Sequence, residues 1–160
     1  SDSIKRNHGV HIFADSTWTV PKSVCGYSAW MSGGPISWRS TQLNVIADSS
    51  TLAEYSSCSA ASKEMSFLRN LLSEMKVDLQ GPLYMAVDND AAIKLSEKVG
   101  VSKLSKHFAL AEHRIRDEVE HLRLRCVWVD TDNQLADIFT KALPDSTFMK
   151  LRDQYFAVAR

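Results

Sequence analysis

From Gly9 to Trp18 apolar positions alternate, with Val10, Ile12 and Ala14 set against His11, Phe13 and Asp15. A period of two predicts a strand. After the Pro21-Lys22 turn, Ser23 to Ser32 (Val24, Tyr27, Trp30) reads as a second strand. Gly33-Gly34-Pro35 is a hairpin signal into a third, Ile36 to Arg39, with an interrupted continuation over Asn44 to Ala47. The period then changes. From about residue 51, Ala61, Met65, Leu68, Leu72 and Met75 recur at steps of three and four, which predicts a long helix. Leu83-Tyr-Met-Ala-Val87 is a continuous apolar run of strand length, expected where both faces are covered, as in a parallel sheet. Ala91 to Val99 and Lys106 to Glu120 predict helices, Leu122 to Val129 a fifth strand, and Asn133 to Leu143 and Thr147 to Ala159 two closing helices.

Early strands joined by short turns pair antiparallel, whereas strands reached through helical crossovers run parallel. The expected class is therefore α/β: a mixed five-stranded sheet, three antiparallel strands then two parallel, with helices on both faces. Residues 1–9 are expected to form a flexible polar segment, and residues 10–160 one domain. A chain of 160 residues, 44% hydrophobic, suffices for a single sizeable core.

Nineteen basic residues balance nineteen acidic ones, which excludes a bulk positive field. Any nucleic-acid binding would come from a local patch and be salt-sensitive. Cys25, Cys58 and Cys126 sit among apolar neighbours without metal-knuckle spacing, as expected of buried thiols in a reducing compartment. No run approaches the roughly 18 apolar residues of a membrane span, and the first residues lack the apolar region of a signal peptide. A soluble intracellular domain is expected. Trp18, Trp30, Trp38 and Trp128 fall on or beside predicted strands and are expected in the core, with Met65 and Met75 as core filler.

Four carboxylates stand apart. Asp15 closes the first strand, where an Asp is equally a turn former. Glu54 continues the buried stripe 54, 58, 61, 65, 68, 72, yet Thr51-Leu-Ala-Glu54 also reads as a capping box. Asp88 ends the continuous apolar strand, at the end beyond which open α/β sheets bind ligands. Asp137 lies off the apolar side of its segment, and Lys141, four residues on, suggests a plain ion pair. Were all four to converge, their repulsion would call for divalent cations, and oxygen-only ligands favour Mg²⁺ or Mn²⁺.

Gly34-Pro-Ile-Ser-Trp-Arg-Ser40, Ser50-Thr-Leu-Ala-Glu-Tyr55, Val87-Asp-Asn89 and Gln134-Leu-Ala-Asp-Ile-Phe-Thr-Lys-Ala-Leu-Pro144 resemble, in order and spacing, successive motifs of the ribonuclease H domain of Ty1/copia-type LTR retrotransposon polyproteins. Lys106-His107 with His113 and Arg116 resembles a further region, and the likeness runs from about residue 10 to 155. The resemblance implies an RNase H-like fold and an Asp-Glu-Asp-Asp site binding two Mg²⁺ or Mn²⁺ ions. Matched motif by motif, that site is Asp15, Glu54, Asp88 and Asp137, as catalytic residues and metal ligands together. Thr17, Leu52 and Asp90 depart from the family pattern, and Val129-Asp-Thr-Asp-Asn133 lacks the histidine of the cellular and retroviral enzymes.

The implied activity is endonucleolytic hydrolysis of the RNA strand of RNA–DNA hybrids during reverse transcription, leaving 5′-phosphate and 3′-hydroxyl ends. Candidate substrate contacts are Gln42, Ser50, Thr51 and Asn89 near the metals, and Lys103, Lys106, His107, Arg114 and Arg116 as the best basic cluster. The implied partners are the hybrid and the reverse transcriptase domain of the same polyprotein, and no membrane. The implied location is the cytoplasm, in virus-like particles of the element, or the nucleus, and the isolated domain is expected to be monomeric. The alternative is a non-catalytic nucleic-acid-binding or tethering domain that keeps the fold. A third reading is an oligomerisation module, with Phe148, Leu151, Tyr155 and Phe156 docked on a neighbouring reverse transcriptase domain.

Overall fold

The computed structural model of the chain describes residues 9–19, 22–43, 49–79, 81–97 and 106–156, apart from the side chains of Leu95 and of residues 106–112. Strands β1 His11–Thr17, β2 Val24–Met31, β3 Gly34–Gln42, β4 Leu83–Val87 and β5 Leu124–Trp128 form one sheet in the order β3-β2-β1-β4-β5. β1 pairs antiparallel with β2, and β2 with β3, while β4 runs parallel to both β1 and β5. The mixed sheet is the one that hairpins followed by helical crossovers produce.

Helices α1 Ser50–Glu74, α2 Asp90–Glu97, α3 Lys106–Glu120 and α4 Asp145–Phe156 cover the sheet. Alternation along β1 decides which face meets which helices. Val10, Ile12 and Ala14 pack with Cys58, Met65 and Leu68 of α1, Ala92 of α2 and Ile115 of α3. Phe13 points the other way and packs with Trp30, Ala86, Leu135, Ala136 and Leu151 of α4. The expected stripe on α1, from Glu54 through Cys58, Ala61, Met65 and Leu68 to Leu72, is buried throughout.

Some expectations are corrected. Residues 133–143 do not form a helix; two short 3₁₀ segments, Thr131–Asn133 and Leu135–Phe139, stand there instead. The buried Gln134 side chain caps the second by accepting from the Ala136 amide, and Pro144 follows closely. Of the four tryptophans only Trp30 is in the core; Trp18, Trp38 and Trp128 are 53%, 60% and 57% exposed. Trp38 and Trp128 sit on the two outermost strands, where one side has no neighbour to cover a large ring, and Trp18 lies past the end of β1. Met75 is exposed because α1 ends at Glu74, before the stripe's last position.

The last helix docks on its own sheet. Leu151 is buried, and Tyr155 lies 4.8 Å from Trp30, centroid to centroid, with its hydroxyl donating to the Leu135 carbonyl at 2.8 Å. Phe148 and Phe156 stay exposed. All three cysteines are buried free thiols. Among the described residues no helix is long and apolar enough to cross a membrane. The N-terminal segment up to residue 8 and the Asn44–Ala47 continuation of the third strand lie outside the described residues.

Candidate metal centre

The parallel ladder between β1 and β4 runs from His11↔Tyr84 to Phe13↔Ala86 and stops there. Just beyond it each chain presents a carboxylate, Asp15 still within β1 and Asp88 one residue past β4. Because the strands are parallel, both sit at the same end of the sheet. Asp15 shares the face of Phe13, so it points toward the segment Leu135–Phe139, which carries Asp137 in its middle. Carboxylate oxygens of Asp15, Asp88 and Asp137 lie within 4.8 Å of one another.

Glu54 approaches from α1. Its Oε1 accepts the Ser16 backbone amide at 3.3 Å, and its Oε2 is buried with no hydrogen-bond partner among the described residues. The cap of α1 is made elsewhere, by Ser49 accepting from the Leu52 amide. Glu54 therefore does not complete a capping box; it faces the cluster.

The cluster is held from several directions. The Thr140 hydroxyl donates to Asp15 Oδ2, and that of Thr131 to Asp88 Oδ2 at 3.3 Å. Lys141 Nζ donates to Asp137 Oδ1 at 2.8 Å and to Asp15 Oδ1 at 3.2 Å. Both readings of Asp137 thus hold together: it pairs with Lys141, and it joins the acidic cluster. Below them the Ser57 hydroxyl donates to the Asp15 carbonyl at 2.6 Å, and the Ser40 hydroxyl to the Phe139 carbonyl at 2.6 Å. Gln134, Thr140, Thr131 and Ser57 were not singled out from sequence as site residues. The signal available for the first two was their place beside the apolar residues of the motif Gln134–Pro144.

Crowding shows in the electrostatics. Burial first, then the charges of Asp15 and Asp88, push the Glu54 carboxyl up to about 9. Asp137 rises to about 6, again from burial foremost, with Asp15 adding to the rise and the Lys141 bond opposing it. Asp88 is raised by burial and by Asp15. Burial pulls the Lys141 ammonium down, but its bonds to Asp137 and Asp15 outweigh that and leave it above the ordinary lysine range. Among the described residues one ammonium faces four acidic groups, and Glu54 Oε2 has no donor. This all-oxygen donor set fits a hard divalent cation such as Mg²⁺ or Mn²⁺.

The expected substrate contacts are spread more widely. Asn89, beside Asp88, caps α2 by accepting the Ala92 amide at 3.1 Å. Ser50 and Thr51 open α1 four and three residues before Glu54, and Gln42 is exposed at the end of β3. Arg114 is exposed and Arg116 half-buried on α3, the helix that packs on α1 through Ile115. Lys103 and the side chains of Lys106 and His107 lie outside the described residues. Of the departures, Thr17 accepts the Val24 amide at 3.3 Å, Asp90 pairs with Lys94, and Leu52 is half-buried in the first turn of α1.

A Pol polyprotein of the Arabidopsis thaliana transposon RE1 is 35% identical over 156 residues, matching 89% of this chain. A Gag-Pol polyprotein of the Saccharomyces cerevisiae transposon Ty1-DR1 is 28% identical over 137 residues, 84% of the chain. The homologues of this chain are Ty1/copia-type retrotransposon Pol polyproteins. The chain spans about a tenth of the length of the curated relatives it matches. No family model matches it. The structure of LC11-RNase H1, isolated from compost, shares 15% identity with this chain at a TM-score of 0.64, covering 89% of this chain and 97% of that one. A second LC11-RNase H1 structure, in complex with an RNA/DNA hybrid, gives 0.58 at 13% identity, over 82% of this chain and 93% of that one. The chain has the ribonuclease H fold.

Proposed function

We propose that this chain is part of a retrotransposon Pol polyprotein and hydrolyses the RNA strand of RNA–DNA hybrids, using two Mg²⁺ or Mn²⁺ ions held by Asp15, Glu54, Asp88 and Asp137. The observation that carries the reading is the meeting of Asp15, Asp88 and Asp137, from three distant parts of the sequence, within 4.8 Å at one end of the sheet. Support also comes from the fold-mate LC11-RNase H1, solved with an RNA/DNA hybrid. When bound, paired hard cations stabilise the attacking and leaving oxygens of an in-line phosphodiester displacement.

The protein supplies placement. Asp15, wholly buried between β4 and the segment Leu135–Phe139, would be a ligand whose carboxylate is held by the Thr140 hydroxyl. Glu54 adds its unpartnered oxygen, and Thr131 orients Asp88. Ser50, Thr51, Asn89 and Gln42 are the polar groups assigned to contact 2′-hydroxyls across the wide minor groove of the hybrid. In the full polyprotein, the reverse transcriptase domain would deliver the hybrid.

The test is cleavage of a labelled RNA–DNA hybrid with and without Mg²⁺, by wild type and by Asp88→Asn. Wild type is expected to cut only with the metal, and Asp88→Asn to lose cutting while its metal-free fold stays intact or gains slightly in stability, because a repelling charge is gone. Wild-type cutting by Asp88→Asn overturns the ligand assignment. A folded wild type that binds hybrid without cutting it establishes the non-catalytic binding domain instead.

A further inference from the structure

The acidic cluster brings a cation of its own. Lys141 Nζ bonds the Oδ1 atoms of Asp137 and Asp15 at 2.8 and 3.2 Å. The other oxygen of Asp15 is taken by Thr140, one residue before Lys141. An ammonium and a divalent ion want the same carboxylate oxygens, and two cations cannot share them at contact distance without strong repulsion. The lysine is not sealed in: its side chain is 32% exposed, on a flexible stem that can swing its head to water.

Given the metal centre proposed above, on which this rests, we infer that Lys141 is a positioning residue that competes with the divalent ion. It draws Asp15 and Asp137 together while the metal is absent and releases their oxygens when the metal enters. It thereby raises the metal concentration at which the site fills. The same residue stabilises the empty site and opposes the filled one.

The experiment is calorimetric titration of the 160-residue chain with Mn²⁺ at fixed pH and ionic strength, beside thermal melts without metal. Lys141→Gln is expected to bind Mn²⁺ about tenfold more tightly than wild type, since a nearby positive charge is removed, and to melt lower when metal-free. A merely structural lysine predicts the opposite sign for binding, because a disordered site binds less well. Lys141→Arg keeps the charge and is expected to bind no more tightly than wild type. Lys63→Gln, exposed on α1, is expected to leave the affinity unchanged, separating a local effect from net charge.

If wild type binds Mn²⁺ and Lys141→Gln binds it equally or less tightly, the competition is overturned and the metal centre stands. Tighter binding by Lys141→Arg than by wild type also overturns it, even if the Gln variant does not fold. No binding by folded wild type overturns the metal centre and the competition with it.

Discussion

The Gln134 side-chain amide donates to the Ala14 carbonyl at 3.0 Å, joining positions 120 apart in sequence through a wholly buried side chain. The β1–β4 ladder has ended one residue earlier, at Phe13, so this carbonyl finds its partner in the last segment rather than in β4. The oxygen of the same amide accepts from the Ala136 backbone. One residue thus ties the segment carrying Asp137 to the strand carrying Asp15. Gln134→Leu, nearly equal in volume, would leave a buried carbonyl and a buried amide unpaired. The expected loss is about 2–3 kcal/mol in urea unfolding, with weaker Mn²⁺ binding. Unchanged stability would remove Gln134 from this role.

Gly26 lies opposite Asp15 on β2, and a Cβ there would stand 2.8 Å from Thr140 Cγ2 and 2.9 Å from Phe139 Cβ. Neither neighbour is free to give way: Thr140 is bonded to Asp15, and the Phe139 carbonyl to Ser40. Gly26→Ala is expected to lower stability by about 1–3 kcal/mol, as overpacked sites do. It should also weaken hybrid cleavage in Mg²⁺ by moving Thr140 off Asp15. Thermal melts and the cleavage assay check the two halves separately.

The raised carboxyls set the pH response of the metal-free chain. Glu54, at about 9, and Asp137, at about 6, hold protons in the folded state that the unfolded chain has already lost above its ordinary carboxylate range. The folded state then binds more protons, so stability falls as pH rises from about 4.5 toward 9. The melting temperature without metal is expected to be higher at pH 5.5 than at pH 8.5, and saturating Mg²⁺ to narrow the gap. Glu54→Gln, which cannot ionise, is expected to flatten most of the slope. An equally steep slope in Glu54→Gln would assign it to other groups.

Trp30 and Trp38 test what the sheet edge does to similar residues. Trp30 is 5% exposed, packs against the tilted ring of Tyr155 and donates to Ser28 at 2.6 Å, so Trp30→Ala is expected to cost about 3–5 kcal/mol. Trp38, 60% exposed on the edge strand β3, is expected to cost under about 1 kcal/mol as Trp38→Ala. Denaturant midpoints of the two variants compare them directly.

Periodicity records which side of an element is buried, and that much is local. The alternation of Val10, Ile12 and Ala14, the stripe from Glu54 to Leu72 and the apolar run Leu83–Val87 therefore determined the strands, the long helix and the mixed sheet from sequence alone. The capping box and the buried stripe remained equal claims on Glu54, and the ion pair hid Asp137, because spacing along one element says nothing about what faces it. Resemblance in the motifs, rather than spacing, singled out the four acidic residues together. Only the tertiary structure decided that the ends of β1 and β4 and the segment Leu135–Phe139 meet, that Gln134 and Thr140 clasp β1, and that Lys141 reaches two carboxylates at once. It also decided that residues 133–143 stay short of a helix and that three tryptophans stand outside. Each of these depends on contacts between residues tens of positions apart, whose energies outweigh local preference and leave no period in the chain.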